Sequence, residues 1–149
     1  MELKLSFSDE IPDRYTQYGR NLSPEVVFRD VPEDAETLVF MIENINAPES
    51  LRVHWIIWNI PAETEALPEG LETAENPGEI EAVVQGNNDF DVRGYQGPRM
   101  FPGEEKYLFT AYALDTYLNL EPGNHREQVI FAMRGHVLDK AQERRGYTS

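Results

Sequence analysis

Three histidines, His54, His125 and His136, are the side chains of this sequence best suited to proton transfer or metal ligation near neutral pH. No short metal-ligand spacing links them and no H-E-x-x-H occurs, so a metal site would have to be assembled from distant positions, and none is expected. The absence of cysteine excludes disulfides, thiol nucleophiles and thiolate metal sites, and fits a reducing compartment. Nucleotide chemistry has no support either. The stretch "GYQGP" has neither the glycine spacing nor the lysine of a phosphate loop, and no nucleophile elbow is present.

His54 lies inside "VHWIIWNI", a run that reads as a strand buried on both sides. Strand alternation puts His54, Ile56 and Trp58 on one face and Val53, Trp55, Ile57 and Asn59 on the other. A polar group there either finds a hydrogen-bond partner in the core or lines a cavity. Just upstream, Asn44 and Asn46 alternate with Ile45 and so point to the same side at the end of a strand, where asparagine ordinarily forms turns. His136 follows "FAMRG" and is expected to cap a terminal helix, while His125, in the turn "EPGNHREQ", is expected to be exposed and inert.

The elements that must position these residues are mostly strands. Short β-rich runs ("LKLSF", "EVVFRDV", "TLVFMIENI", "VHWIIWNI", "EAVVQG", "YLFTAYALD", "QVIFAMRGHVL") alternate with turn signals supplied by ten glycines and ten prolines. This favours a β-sandwich or small barrel over a doubly wound α/β fold. Helix is expected at the C-terminus, in "GHVLDKAQERRG", and over a short segment from Leu114 to Leu120. The acidic stretch from Ala62 to Val83 reads as an exposed loop.

At 149 residues with 40% hydrophobic content, the chain is expected to form one domain, 1–149. No run of 18 or more apolar residues and no secretion-like N-terminus are present, so a soluble, cytoplasmic protein without integral membrane association is expected. The net charge of -14, from 27 acids against 13 bases, argues against nucleic acid or an anionic membrane surface as a general partner. The acids are scattered, as on a solvated surface, with a salt-adapted source as one explanation.

Four segments in register resemble the phosphatidylethanolamine-binding protein family, in its bacterial and archaeal Raf-kinase-inhibitor-like branch. They are "IPDRYTQYGRNLSPEVVF", "VHWIIWNIPAETEALPEG", "GNNDFDVRGYQGPRMFPGEEKYLFTAYALD" and "AMRGHVLDKAQERRGYTS". The resemblance implies a β-sandwich with a few short peripheral helices and a small preformed pocket for phosphate-like anions or phospholipid headgroups. His54 matches the family's pocket histidine, and Gly94, Tyr95, Gly97 and Pro98 match its G-Y-x-G-P loop. Tyr107 matches the tyrosine of its H-R-Y motif. A proline at the ligand loop implies a cis Ala47–Pro48 bond.

The departures lie at charged positions. Where the family has D-P-D-x-P this chain has Asn44, Ile45, Asn46, Ala47 and Pro48, and where it has H-R-Y this chain has Glu105, Lys106 and Tyr107. Asn44, Asn46, His54, Glu105 and Tyr107 are therefore expected to form one pocket with rearranged charges. A carboxylate about 4 Å from a bound anion costs roughly 4 kcal/mol at an effective dielectric near 20. Unless Arg99 or Lys106 compensates, anion binding should be weak and a polar, neutral or cationic ligand is favoured. If Glu105 reaches His54, it should raise the histidine's pKa.

These readings give a non-enzymatic binding protein with a small-ligand pocket and no cofactor. The alternatives are an inhibitor or interaction protein whose loops engage a kinase or protease, and an enzyme using Glu105 and His54 as an acid and base pair, for which no motif speaks. A homodimer is an expectation of the family alone.

Overall fold

The computed structural model describes residues 1–47, 52–72, 83–99 and 103–148. In chain order the strands are β1 (Glu2–Leu5), β2 (Val26–Arg29), β3 (Thr37–Asn44), β4 (Val53–Pro61), β5 (Ala66–Leu67), β6 (Val84–Gln85) and β7 (Glu104–Leu114), followed by helix α1 (Arg126–Met133) and β8 (Val137–Thr148). Two antiparallel sheets result, one ordered β1-β2-β5 and the other β6-β4-β3-β7-β8.

The run "TLVFMI" in β3 is apolar on both faces because β3 lies in the middle of the larger sheet with cover on each side. On one face Phe40, Ile42, Trp55, Ile57 and Phe109 pack against Leu3, Val26, Phe28 and Leu67 of the small sheet. On the other, Val39, Met41, Ile56 and Trp58 pack beneath Val129 and Met133 of α1. The sandwich core lies in the first layer. Burying one such side chain contributes about 1.5–3 kcal/mol, so these two layers supply most of the driving force.

Helix and strand are exchanged at the C-terminus relative to expectation. "QVIFAM", read as strand, is the body of α1, with Val129 and Met133 buried four residues apart and the Gln128 side chain accepting from the His125 backbone N–H at 2.9 Å. A short apolar run fits either period, and here the sheet face below supplies the partner for a helical stripe. The expected C-terminal helix is instead β8, paired with β7 from Glu104↔Thr148 to Leu114↔Val137. Its Lys, Gln, Glu, Arg and Ala residues favour helix, but β7 is eleven residues long and its outer edge would otherwise lie open. His136 therefore caps no helix; its Nδ1 pairs with Asp115 Oδ1 at 2.8 Å.

The helix expected from Leu114 to Leu120 is absent as well. Leu114 ends β7, and Leu118 is clamped by Asn59, which donates to the Leu118 carbonyl (2.9 Å) and accepts from its N–H (2.8 Å). Asn59 can do this because β4 carries an extra residue between the pairs Leu38↔Ile60 and Phe40↔Ile57, and Asn59 takes a φ of 58° there. Part of the expected acidic loop is also sheet, since Ala66–Leu67 pairs with β2 and Leu67 is fully buried. Residues 73–82 of that stretch lie outside the described residues. No helix among the described residues is long and apolar enough to cross a membrane.

Asn59→Ala should destabilise the fold by about 2–3 kcal/mol, because it strands two buried backbone groups of Leu118 and replaces asparagine, which tolerates the left-handed region, with a residue that does not. Asn59→Gly should cost about 1 kcal/mol less by relieving the second term alone. Urea unfolding of both variants checks the order.

Candidate functional site

A second slip in the same ladder builds the site. The pairing runs Ile42↔Trp55 and then Glu43↔Val53, so His54 is the extra residue of a bulge. Alternation therefore breaks: Val53, expected beside Trp55, packs with Ile56 and Trp58 beneath α1. The His54 ring meets Tyr107 edge-on (5.1 Å between centroids, 79°) and Phe90 (4.9 Å).

The bulge frees the His54 carbonyl, which accepts from Gln96 N–H at 3.0 Å. In return His54 Nδ1 lies 2.6 Å from the Gln96 carbonyl. A carbonyl only accepts, so Nδ1 carries the proton and Nε2 of the neutral ring presents a lone pair. With His54 only 2% exposed, burial lowers its pKa from 6.5 to about 4; the Gln96 and Gly97 carbonyls oppose the shift and Arg99 adds to it. The raised pKa expected if Glu105 reached His54 does not arise: Glu105 is hydrogen-bonded to Asn44 instead, and desolvation dominates.

Register explains where Glu105 goes. Asn44 lies opposite Tyr107 across β3 and β7, and Glu105 is two residues along β7, on the same face as Tyr107. Asn44 Nδ2 donates to Glu105 Oε2 at 2.6 Å and stands 3.5 Å from the Tyr107 hydroxyl, while Asn44 Oδ1 accepts from Asn46 N–H at 2.8 Å. Asn44 and Tyr107 are buried and Glu105 is half-buried. Burial first, and then Glu105, hold the Tyr107 hydroxyl well above the usual tyrosine range.

Asn44, His54, Glu105 and Tyr107 thus converge, and Arg99 stacks over Phe90 at 4.8 Å on the same wall. Asn46 does not join them: its side chain is exposed and its Oδ1 accepts from Lys106 N–H at 2.6 Å, fastening the chain after β3 to β7. Lys106 points to the other side of β7 and pairs with Glu104. The cis bond expected at Ala47–Pro48 falls on Pro48, outside the described residues. Phe90 and Gln96 are the contributors that sequence reading missed. Gln96 acts through its backbone, which no side-chain pattern reveals.

The glycine loop is a support for His54. Gly94 has a φ of 100°, and the Tyr95 hydroxyl points away from His54 to donate to the Tyr15 carbonyl at 2.6 Å. Asn21 grips the next two residues, accepting from Gly97 N–H (2.8 Å) and donating to the Gln96 side chain (3.1 Å). Gln17 donates to the Gly97 carbonyl through its side chain and to the Pro98 carbonyl through its backbone. A β-carbon on Gly97 would sit 2.1 Å from the Tyr15 carbonyl, so only glycine fits. Among the described residues no group of three or more His, Asp or Glu side chains forms a metal site.

The family profile for phosphatidylethanolamine-binding protein matches residues 5–147. This chain belongs to that family, PEBP. It is 42% identical over 146 residues, covering 95% of both chains, to a UPF0098 protein of Methanothermobacter thermautotrophicus. A UPF0098 protein of Pyrococcus horikoshii is 38% identical over 93% of this chain and 72% of its own length. Among solved structures, a PEBP homolog from Chlamydia trachomatis superposes with a TM-score of 0.88 at 34% identity, covering 99% of this chain and 97% of its own. The mainly β fold of this PEBP chain is shared with Escherichia coli YbcL, at a TM-score of 0.89 and 21% identity, with 99% and 98% covered.

The buried neutral His54 has a consequence for stability. Above pH 6.5 it is uncharged in both folded and unfolded chains and contributes no pH dependence. As pH falls towards 4 the unfolded chain takes up a proton that the folded chain refuses, and stability is lost. The stability gap between wild type and His54→Asn should therefore shrink by about 3 kcal/mol between pH 7 and pH 4. Denaturant unfolding at the two pH values measures it, and an imidazole NMR titration should place the His54 midpoint near 4.

Proposed function

We propose that this PEBP-family chain is a non-enzymatic carrier or sensor of a small polar ligand, held against His54, Tyr107 and Glu105 with Arg99 at the rim. The observation that carries this reading is the bulge. A strand otherwise spent on core packing gives up one ladder position to turn a buried imidazole towards Tyr107 and Phe90, and a loop strapped by Asn21 and Gln17 fixes that imidazole's proton. A core histidine needs no such support. Glu105 bonds to Asn44 rather than to His54, an arrangement that favours binding over an acid–base pair.

Native mass spectrometry of protein purified gently from its own host should show a bound small molecule. His54→Ala should lose that adduct, with affinity falling about tenfold or more through the missing hydrogen bond and ring contact. Thermal unfolding of the same variant separates the roles: large destabilisation with adduct occupancy unchanged would return His54 to the core.

A further inference from the structure

Helix α1 covers only part of the outer face of the large sheet. Its apolar partners there are Val39 and Met41 of β3, Ile56 and Trp58 of β4, and Leu114 at the end of β7. Register carries the same face onto the rest of β7 and onto β8. Met41 lies opposite Thr110, and Thr110 lies opposite Gln142, whose side chain donates to the Thr110 hydroxyl at 3.2 Å. Leu108 and Tyr112 stand two residues either side of Thr110, facing Arg144 and Lys140 across the ladder. Lys140, Gln142 and Arg144 are exposed and Leu108 and Tyr112 half-buried, so a strip of sheet is left open beside α1.

The charge of this strip opposes that of the chain, which carries -14. Among the described residues, the Lys140 and Arg144 side chains have no acidic partner. On the α1 side, Arg126 and Arg52 share the single carboxylate of Glu43, at 3.2 and 2.7 Å, and Glu43 lies opposite Leu108. Four cations therefore stand against one carboxylate. The strip ends at Lys106, which pairs with Glu104 and lies near Glu10.

Shape selects among anionic partners. A strand spacing of about 4.8 Å puts the seam of β7 and β8 about 9.6 Å from the seam of β3 and β4 beneath α1, and packed helices lie about 8–10 Å apart. The strip is thus one helix wide. Between Lys106 and Tyr112 it runs about 20 Å, the length of about 14 helical residues. A flat bilayer resting on α1 would stand about a helix diameter, roughly 10 Å, above Lys140 and Arg144, which is a full Debye length away. A second copy of the chain offers no acidic helix among its described residues, since α1 sets Glu127 against Arg126.

We infer that the open strip over β7 and β8 is a docking site for an acidic amphipathic helix of a partner protein. The helix packs beside α1, its apolar stripe on Leu108 and Tyr112 and its carboxylates at Lys140 and Arg144. This face is turned away from His54, so the inference goes beyond the small-ligand reading and stands without it.

The test uses the full chain and three probes: a synthetic helical peptide of about 18 residues with a leucine stripe flanked by glutamates, the same peptide with lysines in place of the glutamates, and phosphatidylserine vesicles. The glutamate peptide should shift the amide NMR resonances of Leu108, Tyr112, Lys140, Gln142 and Arg144, and should bind less tightly as salt is raised. It should bind at least about tenfold more tightly than the lysine peptide. The double substitution K140E and R144E, at two exposed side chains, should lower that affinity about tenfold or more. Should the double variant fail to fold, the comparison of the two peptides on wild type decides alone. The inference is overturned if the strip resonances do not move, if the two peptides bind equally, or if a folded double variant keeps its affinity. Vesicle binding that needs Lys140 and Arg144 while the glutamate peptide fails overturns it in favour of a membrane surface, and dimerisation abolished by the same substitutions overturns it in favour of a second copy.

Discussion

Between Ile42↔Trp55 and Glu43↔Val53 the ladder of β3 and β4 slips by one residue, and the pair of hydrogen bonds between His54 and Gln96 occupies the gap. A bulge in a buried strand leaves one carbonyl without its ladder partner, which costs about 1–3 kcal/mol if nothing replaces it. Gln96 N–H replaces it, and the same residue's carbonyl takes the imidazole proton. Backbone satisfaction and side-chain protonation are thereby solved by one loop residue. Everything that holds the loop, from Tyr95 on Tyr15 to Asn21 on Gly97, holds the histidine as well.

The central strands were legible because β3, β4 and β7 are apolar runs of the right length bounded by turn residues. Their slips were not. Neither the bulge at His54 nor the one at Asn59 alters the composition, and both arise only once two strands must share one register over nine residues of β4. The exchange between α1 and β8 has a different cause. "QVIFAM" suits either period locally, and "LDKAQERR" prefers helix, so position alone decided both: the first lies over a sheet face that needed covering, the second beside an edge that needed pairing.

The candidate site was legible only in part. His54, Tyr107 and Glu105 announced themselves by type and by the family pattern around them. Asn46 did not behave as its spacing suggested, because a turn after β3 ended the alternation that would have carried it to the same side as Asn44. One buried charge went unnoticed. Glu43, 3% exposed within an apolar strand, is met by Arg52 at 2.7 Å and by Arg126, the first residue of α1, at 3.2 Å. That ion pair fastens the helix to the face opposite His54. It sits one residue from Asn44, so the two faces of β3 carry a structural charge and a candidate binding group side by side.

The reluctance of β8 to be a strand bears on how readily its open edge could recruit another chain. An outermost strand offers unpaired backbone to any passing chain, and long, flat, β-favouring edges recruit one another. Here the edge is written in residues that would rather coil into a helix, with Lys140, Gln142 and Arg144 exposed. Asp139 caps the Lys140 N–H and Arg145 caps the Arg144 carbonyl. Near the chain end, Asp9–Ile11 covers both backbone groups of Gly146. Peeled away from β7, such a segment has little tendency to persist as an extended template, so this open edge is poorly suited to seed aggregation.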